Sequence, residues 1–237
     1  MKKKLFTSLL LSMVICIGLL SKSSTAAHFS NVLKKDFPVS SFTKIEIGGP
    51  FNVYIRQGTT EQVYVEADER VMNKVKVKNQ GDTLIVDVDD FSMNIKKLSV
   101  FITLMKVDYM KIYNTGNIEG KGIIKTDKLT IDYSRTGNMS LELDCQKLIL
   151  QAGGTGNIDI SGTAVHADIQ RSGIGNLSAE RLNTDYLKVN VTGVGNTSVF
   201  ANKEISINAS GVGNLNYSGN AIIKEYKVTG VGNVSKQ

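Results

Sequence analysis

Seven Gly-Asn pairs recur through the second half of the chain: Gly116-Asn117, Gly137-Asn138, Gly156-Asn157, Gly175-Asn176, Gly195-Asn196, Gly213-Asn214 and Gly232-Asn233. Successive asparagines lie 21, 19, 19, 20, 18 and 19 residues apart. One turn signal per period of about 20 residues, with strand-like sequence between, is the pattern of a solenoid. Such a chain presents long regular faces rather than one deep pocket. Its fold is therefore more legible than its task.

Each period reads as two short strands around a turn. Residues 128–133 alternate polar and apolar, 135–138 turn, and 139–143 alternate again; 186–191, 193–196 and 197–200 repeat the order. Alternation with β-branched residues is the strand signature, and no segment after residue 26 sustains a helical period. An antiparallel meander would need a turn after every strand. Here whole two-strand units repeat, which suits parallel stacking about 4.8 Å apart, so that seven coils rise roughly 29 Å. The expected fold is all-β, a parallel β-helix of about 19-residue coils.

The corner residues have separate physical reasons. Gly154, Gly173, Gly193, Gly211 and Gly230 add a glycine two places before the Gly-Asn glycine. Glycine reaches positive φ without steric cost, and asparagine tolerates the left-handed region better than most residues. Stacked at one corner, the seven asparagines are expected to bond to the coils above and below as an amide ladder. Ile118, Met139, Ile158, Leu177, Thr197, Leu215 and Val234 follow them, an apolar column apart from Thr197 that should point inward.

The start of the chain reads as a secretory signal over 1–26. Lys2, Lys3 and Lys4 precede an apolar stretch from Leu5 to Leu20, and Ser24/Ala26 or Thr25/Ala27 offer cleavage pairs. A retained anchor is the weaker reading, because the run falls short of the roughly 20 residues a span needs. Ile15 stands before Cys16 where a lipid-modification site carries a small residue. Removing this segment takes four of the 28 Lys and Arg and no acid, leaving 24 against 22. That balance gives no reason to invoke nucleic acid. Only Cys145 then remains, so no intramolecular disulfide can form.

Residues 27–41 read as a lead-in, and 42–237 as one domain with irregular coils over 42–110 and regular ones over 111–237. Residues 43–47, 51–55, 62–66, 75–78, 83–88 and 98–104 are expected strands, and 66–73 a short helix. This section is placed to cap one end of the stack, since an exposed end invites edge-to-edge association.

The signal segment, the opening from Phe42 to Val53 (FTKIEIGGPFNV) and the Gly-x-Gly-Asn corners together resemble the GIN-type head domain of putative autotransporter adhesins. The resemblance spans roughly Phe42 to Val234. It implies a right-handed β-helix and an exported, envelope-associated adhesin-like protein. After Asn233 only Val-Ser-Lys-Gln follows, which leaves no room for a membrane β-barrel translocator, so self-transport is not expected.

The search for chemistry is less productive. Asp87, Asp89 and Asp90 form the densest acidic cluster, and Asp87 and Asp89 share one side of a strand, as a glycan-cleaving pair would. A solvated strand face ending in a turn is the favoured explanation of them. The corners offer neutral Asn at about twice the period of glycine-rich calcium repeats. With only His28 and His166 among histidines, no metal or other cofactor is expected. The glycine corners lack the helix or Gly-Lys-Ser/Thr ending of a phosphate loop. Cys145 reads as a buried strand residue, and Lys125, Lys128, Arg171 and Arg181 as surface solvation. Tyr113 and Tyr133, about one coil apart, offer a side-by-side stack as a sugar platform, but a packing role is the favoured reading.

The resulting expectation is an exported, non-enzymatic binding or scaffolding module in the periplasm, on the outer membrane or at the cell surface. Its partner would be an extracellular glycan or protein, with no nucleic acid and no membrane-spanning segment after signal removal. The alternatives are a polysaccharide-degrading enzyme using Asp87 and Asp89, and an envelope component that self-associates through its C-terminal coil.

Overall fold

From Ile118 to Gln237, strand after strand pairs in parallel with residues one coil further along the chain. The computed structural model describes residues 31–89 and 97–237. The signal segment 1–26, His28 and Asp90 lie outside them. The early elements are β1 (Val32–Phe37), β2 (Lys44–Gly49), β3 (Asn52–Gln57), β4 (Gln62–Asp68), α1 (Glu69–Met72), β5 (Val75–Gln80), β6 (Thr83–Val88), β7 (Leu98–Leu104) and β8 (Tyr109–Asn114). Long strands follow: β9 (Ile118–Tyr133), β10 (Met139–Ala152) and β11 (Ile158–Arg171). The last coils divide into β12 (Leu177–Ala179), β13 (Leu182–Val191), β14 (Thr197–Phe200), β15 (Glu204–Ala209), β16 (Leu215–Ser218), β17 (Ile222–Val228) and β18 (Val234–Lys236). The result is a β-solenoid of about 7 turns with coils of about 19 residues.

The inward column is continuous. Ile118 pairs with Met139, then Ile158, Leu177, Thr197, Leu215 and Val234 in direct register. The first six are buried, and Val234 is partly covered. Burying each large aliphatic member contributes about 1.5–3 kcal/mol before chain entropy is subtracted. Thr197 is the polar exception and is buried as well.

Each coil also bends where no glycine marks it. In β10 the register runs to Cys145↔Ala164 and resumes at Lys147↔His166, so Gln146 is left out while the strand continues. Two short strands around one turn therefore understates the coil: three of the coils are bent 14- to 16-residue strands.

The early half departs further from sequential winding. β2 lies between β6 and β8, parallel to both, while β3 lies between β7 and β9. The β2–β3 coil is thus inserted between β6–β7 and β8–β9, and the chain passes over it from Leu104 to Tyr109. Antiparallel strands then cover the outer edges: β5 on β6, β4 on β7, and β1 on β4. The short helix runs over Glu69–Met72, capped by the Asp68 carboxylate accepting from the Arg70 amide at 3.1 Å.

Candidate functional site

Two surfaces repeat along the solenoid: the glycine–asparagine corner and the outer face of the adjoining sheet. At the corner, Thr115, Thr136, Thr155, Ile174, Val194, Val212 and Val231 bridge from coil to coil. Beside them, the Asn138 backbone N–H donates to Asn117 Oδ1 at 3.1 Å, and the same bond recurs at Asn157, Asn176, Asn196, Asn214 and Asn233 at 2.9–3.1 Å. The side chain thus reaches the next backbone rather than the next amide; Asn138 Nδ2 to Asn117 Oδ1, at 3.2 Å, is a side-chain rung. Asn52 begins the series, accepting from the Asn117 N–H at 3.0 Å. It follows Phe51 instead of glycine, so the Gly-Asn signal missed it; the apolar Val53 after it was the available clue.

These asparagines are exposed, so each rung contributes little. Asn176→Ala or Asn196→Ala is expected to cost about 0.5–1 kcal/mol, near the low end for a hydrogen bond. Thermal unfolding matched to the parent at both positions would contradict a stabilising ladder.

Inside the corner lies a feature hidden from sequence reasoning. Arg171, read as a surface cation, is buried at 2 % exposure. Its Nη1 donates to Ala152 O at 3.2 Å and Gly154 O at 3.0 Å, and its Nη2 to Gly156 O at 3.1 Å and Gly175 O at 3.3 Å. Burial pushes the guanidinium pKa down. Two coils earlier the Tyr133 hydroxyl donates to Gly137 O. Tyr133 and Arg171 share one inward column with Ala152 between them, and this small residue leaves room for the guanidinium. Tyr113 instead pairs with Gly48 and faces outward, so the two tyrosines do not stack. The different faces follow from the period-two pleat.

One stretch of the outer sheet face carries uncharged hydrogen-bonding groups. Gln151, Gln170, Asn190 and Asn208 stand in one register column, which continues to Asp132, Lys111 and Glu46 on one side and to Lys227 on the other. Two residues further along each coil come Ser134, Gly153, Ser172, Thr192 and Ser210. The columns run about 4.8 Å per rung and lie roughly 7 Å apart. Between them is a shallow depression of about 340 Å³, which reaches Asp132, Gln151, Gln170, Asn190, Ser172 and Thr192. Asn190 Oδ1 is buried there without a protein donor, as is Asp168 Oδ1 in the adjoining depression of about 280 Å³. Next to Asp168, His166 and Tyr186 stack at 4.7 Å, and Lys203 covers the Tyr186 ring at 5.5 Å. The two rings thus cover one face of each other.

The remaining candidates are engaged locally. Asp87 accepts from the Val88 N–H at 2.8 Å, and Asp89 pairs with Lys76. Among the described residues, no group of three His, Cys, Asp or Glu is arranged to hold a metal. Burial raises the Cys145 thiol pKa to about 11, with Asp144 adding to the shift, which disfavours a thiolate at neutral pH.

Residues 41–221 match the family described as putative auto-transporter adhesin, head GIN domain. The chain belongs to this family. The GIN solenoid is similar to the crystal structure of a putative adhesin from Bacteroides fragilis, at 26% identity and TM-score 0.82, covering 87% of this chain and 97% of that one. It also resembles two Parabacteroides distasonis structures. One is a putative adhesin, at 20% identity and TM-score 0.63, covering 88% and 98% of the two chains. The other is a putative lipid binding protein, at 16% identity and TM-score 0.67, covering 87% and 98%. Both show the fold alone. A stretch of 116 residues is 28% identical to a UDP-N-acetylenolpyruvoylglucosamine reductase from Staphylococcus carnosus, covering 48% of this chain. The chain spans about a third of that curated relative, 35% of its length. No helix among the described residues is long and apolar enough to cross a membrane.

Proposed function

We propose that this GIN domain is an exported, non-catalytic adhesin-like module that holds an extended, uncharged glycan along the outer sheet face. The observation that carries the reading is the pair of amide and hydroxyl columns flanking one depression, which Gln151, Gln170 and Asn190 line together. Amides donate and accept together, as sugar hydroxyls do, and a column of them can follow a chain of repeating units. Membership of a family of putative adhesins supports the same reading. With a lining dominated by amides and hydroxyls, such binding would rest on many weak polar contacts and favour long chains over short ones.

Screening the purified protein on a glycan array tests this. Neutral polysaccharides are expected to bind, and Gln151→Ala combined with Gln170→Ala to weaken them at least about tenfold, the equivalent of two lost hydrogen bonds. Binding that survives the double substitution, or no glycan bound at all, would overturn the assignment.

A further inference from the structure

The two ends of the solenoid are finished differently. At the N-terminal end, antiparallel β5 and the β4–β1 pair cover the outer coil. The strands left outermost carry exposed lysines, Lys76 and Lys78 on β5 and Lys34 and Lys35 on β1. Charged edges of this kind oppose further strand pairing. At the other end, β17 pairs with β15 and β18 with β16, and among the described residues no strand pairs with their outer edges. Core positions are uncovered there. Tyr226 continues the inward column of buried Ile207, yet it is 53% exposed, and Ile223, in register with buried Ile205, is 42% exposed.

We infer that a second copy of this chain covers this end, with two β17 strands pairing antiparallel about a two-fold axis at Tyr226. The lysine-edged end disfavours head-to-tail stacking, so the surface left to meet the open coil is another open coil. In an antiparallel pair about a two-fold axis, directly opposed residues point to the same side of the sheet. Centring on Tyr226 sets the two Tyr226 side chains together on the core side. It also sets Glu225 opposite Lys227 of the partner subunit, and Lys227 opposite Glu225 of the partner subunit, on the outer side. Centring on Lys224 or Glu225 would oppose like charges. The strand is therefore self-complementary in one register, and the two-fold closes the assembly at a dimer. This surface adjoins the end of the amide face, where Lys227 follows Asn208 in register, and the pairing does not depend on glycan binding.

Sedimentation of the protein over a concentration series is expected to show a monomer–dimer equilibrium. Glu225→Lys and Lys227→Glu should each weaken the dimer at least about tenfold, because both symmetry-related pairs become repulsive. The double exchange, Glu225→Lys with Lys227→Glu, should restore it. Circular dichroism checks that each variant keeps the solenoid. On the unsubstituted protein, amide exchange over β17 should slow as concentration rises. A monomer at every concentration, open-ended polymers, or a double variant as weak as the singles would overturn the inference.

Discussion

Gly156→Ala is expected to destabilise the protein by about 3–5 kcal/mol, combining strain at an unfavourable backbone conformation with overpacking. Gly156 has φ +138, and an added Cβ would run into the carbonyl of Gly137 in the preceding coil. That neighbour is backbone, held by its own coil, and cannot rotate away as a side chain would. Gly81→Ala separates the two contributions. Gly81 also has positive φ, +61, but an added Cβ there meets nothing within 4 Å. Its cost should stay near 1 kcal/mol, the ordinary penalty of the left-handed region. Urea unfolding of both variants measures the difference. Equal losses would show that corner stacking, as distinct from backbone conformation, places no demand on Gly156.

The second large effect is expected at Arg171. Arg171→Ala should cost about 3–5 kcal/mol, since it opens a cavity and removes the donors held by glycine carbonyls. Gly156 O and Gly175 O both receive Nη2, and Gly154 O receives Nη1. Arg171→Met refills most of the volume without restoring a donor. If hydrogen bonding to the corner dominates, this variant should remain about 2 kcal/mol below the parent. Recovery to parental stability would mean that the guanidinium acts mainly by filling space, its bonds being offset by the cost of burying the charge. Chemical denaturation at neutral pH suffices, because an arginine stays protonated there even with its pKa lowered by burial.

Arg171 also shows where sequence reasoning stops. Its place in the coil is legible, because it stands in register with Ala152 and Val191, both apolar. An arginine at an inward position nevertheless reads as an error or an outward residue until the neighbouring coils are known. Only stacking brings several glycine carbonyls within reach of one guanidinium, and only the small Ala152 side chain makes the space. Tyr133 follows the same logic: its hydroxyl serves Gly137 O while its ring fills the core.

The candidate face was legible in part. Gln151, Gln170, Asn190 and Asn208 each look like ordinary outward strand residues when their coils are considered separately. Their alignment depends on the exact register, which joins residues 18–20 positions apart. The period announces that alignment must occur without saying which side chains gather at a depression. Asp87 and Asp89 illustrate the reverse case. A two-residue spacing places them on one side of the chain, yet their carboxylates are used locally, on the Val88 amide and on Lys76.

What the sequence by itself determined was the repeating unit: the period, the glycine corner and the inward column after each asparagine. These are local patterns repeated seven times, and repetition makes the stack the one arrangement that buries all the columns together. Only the tertiary structure decided the order of the first coils, because β2–β3 sits between β6–β7 and β8–β9 through contacts some 40 to 65 residues apart that no local pattern encodes. It likewise decided which groups a buried guanidinium serves and which end of the solenoid is left open, since both depend on which coil comes to rest against which.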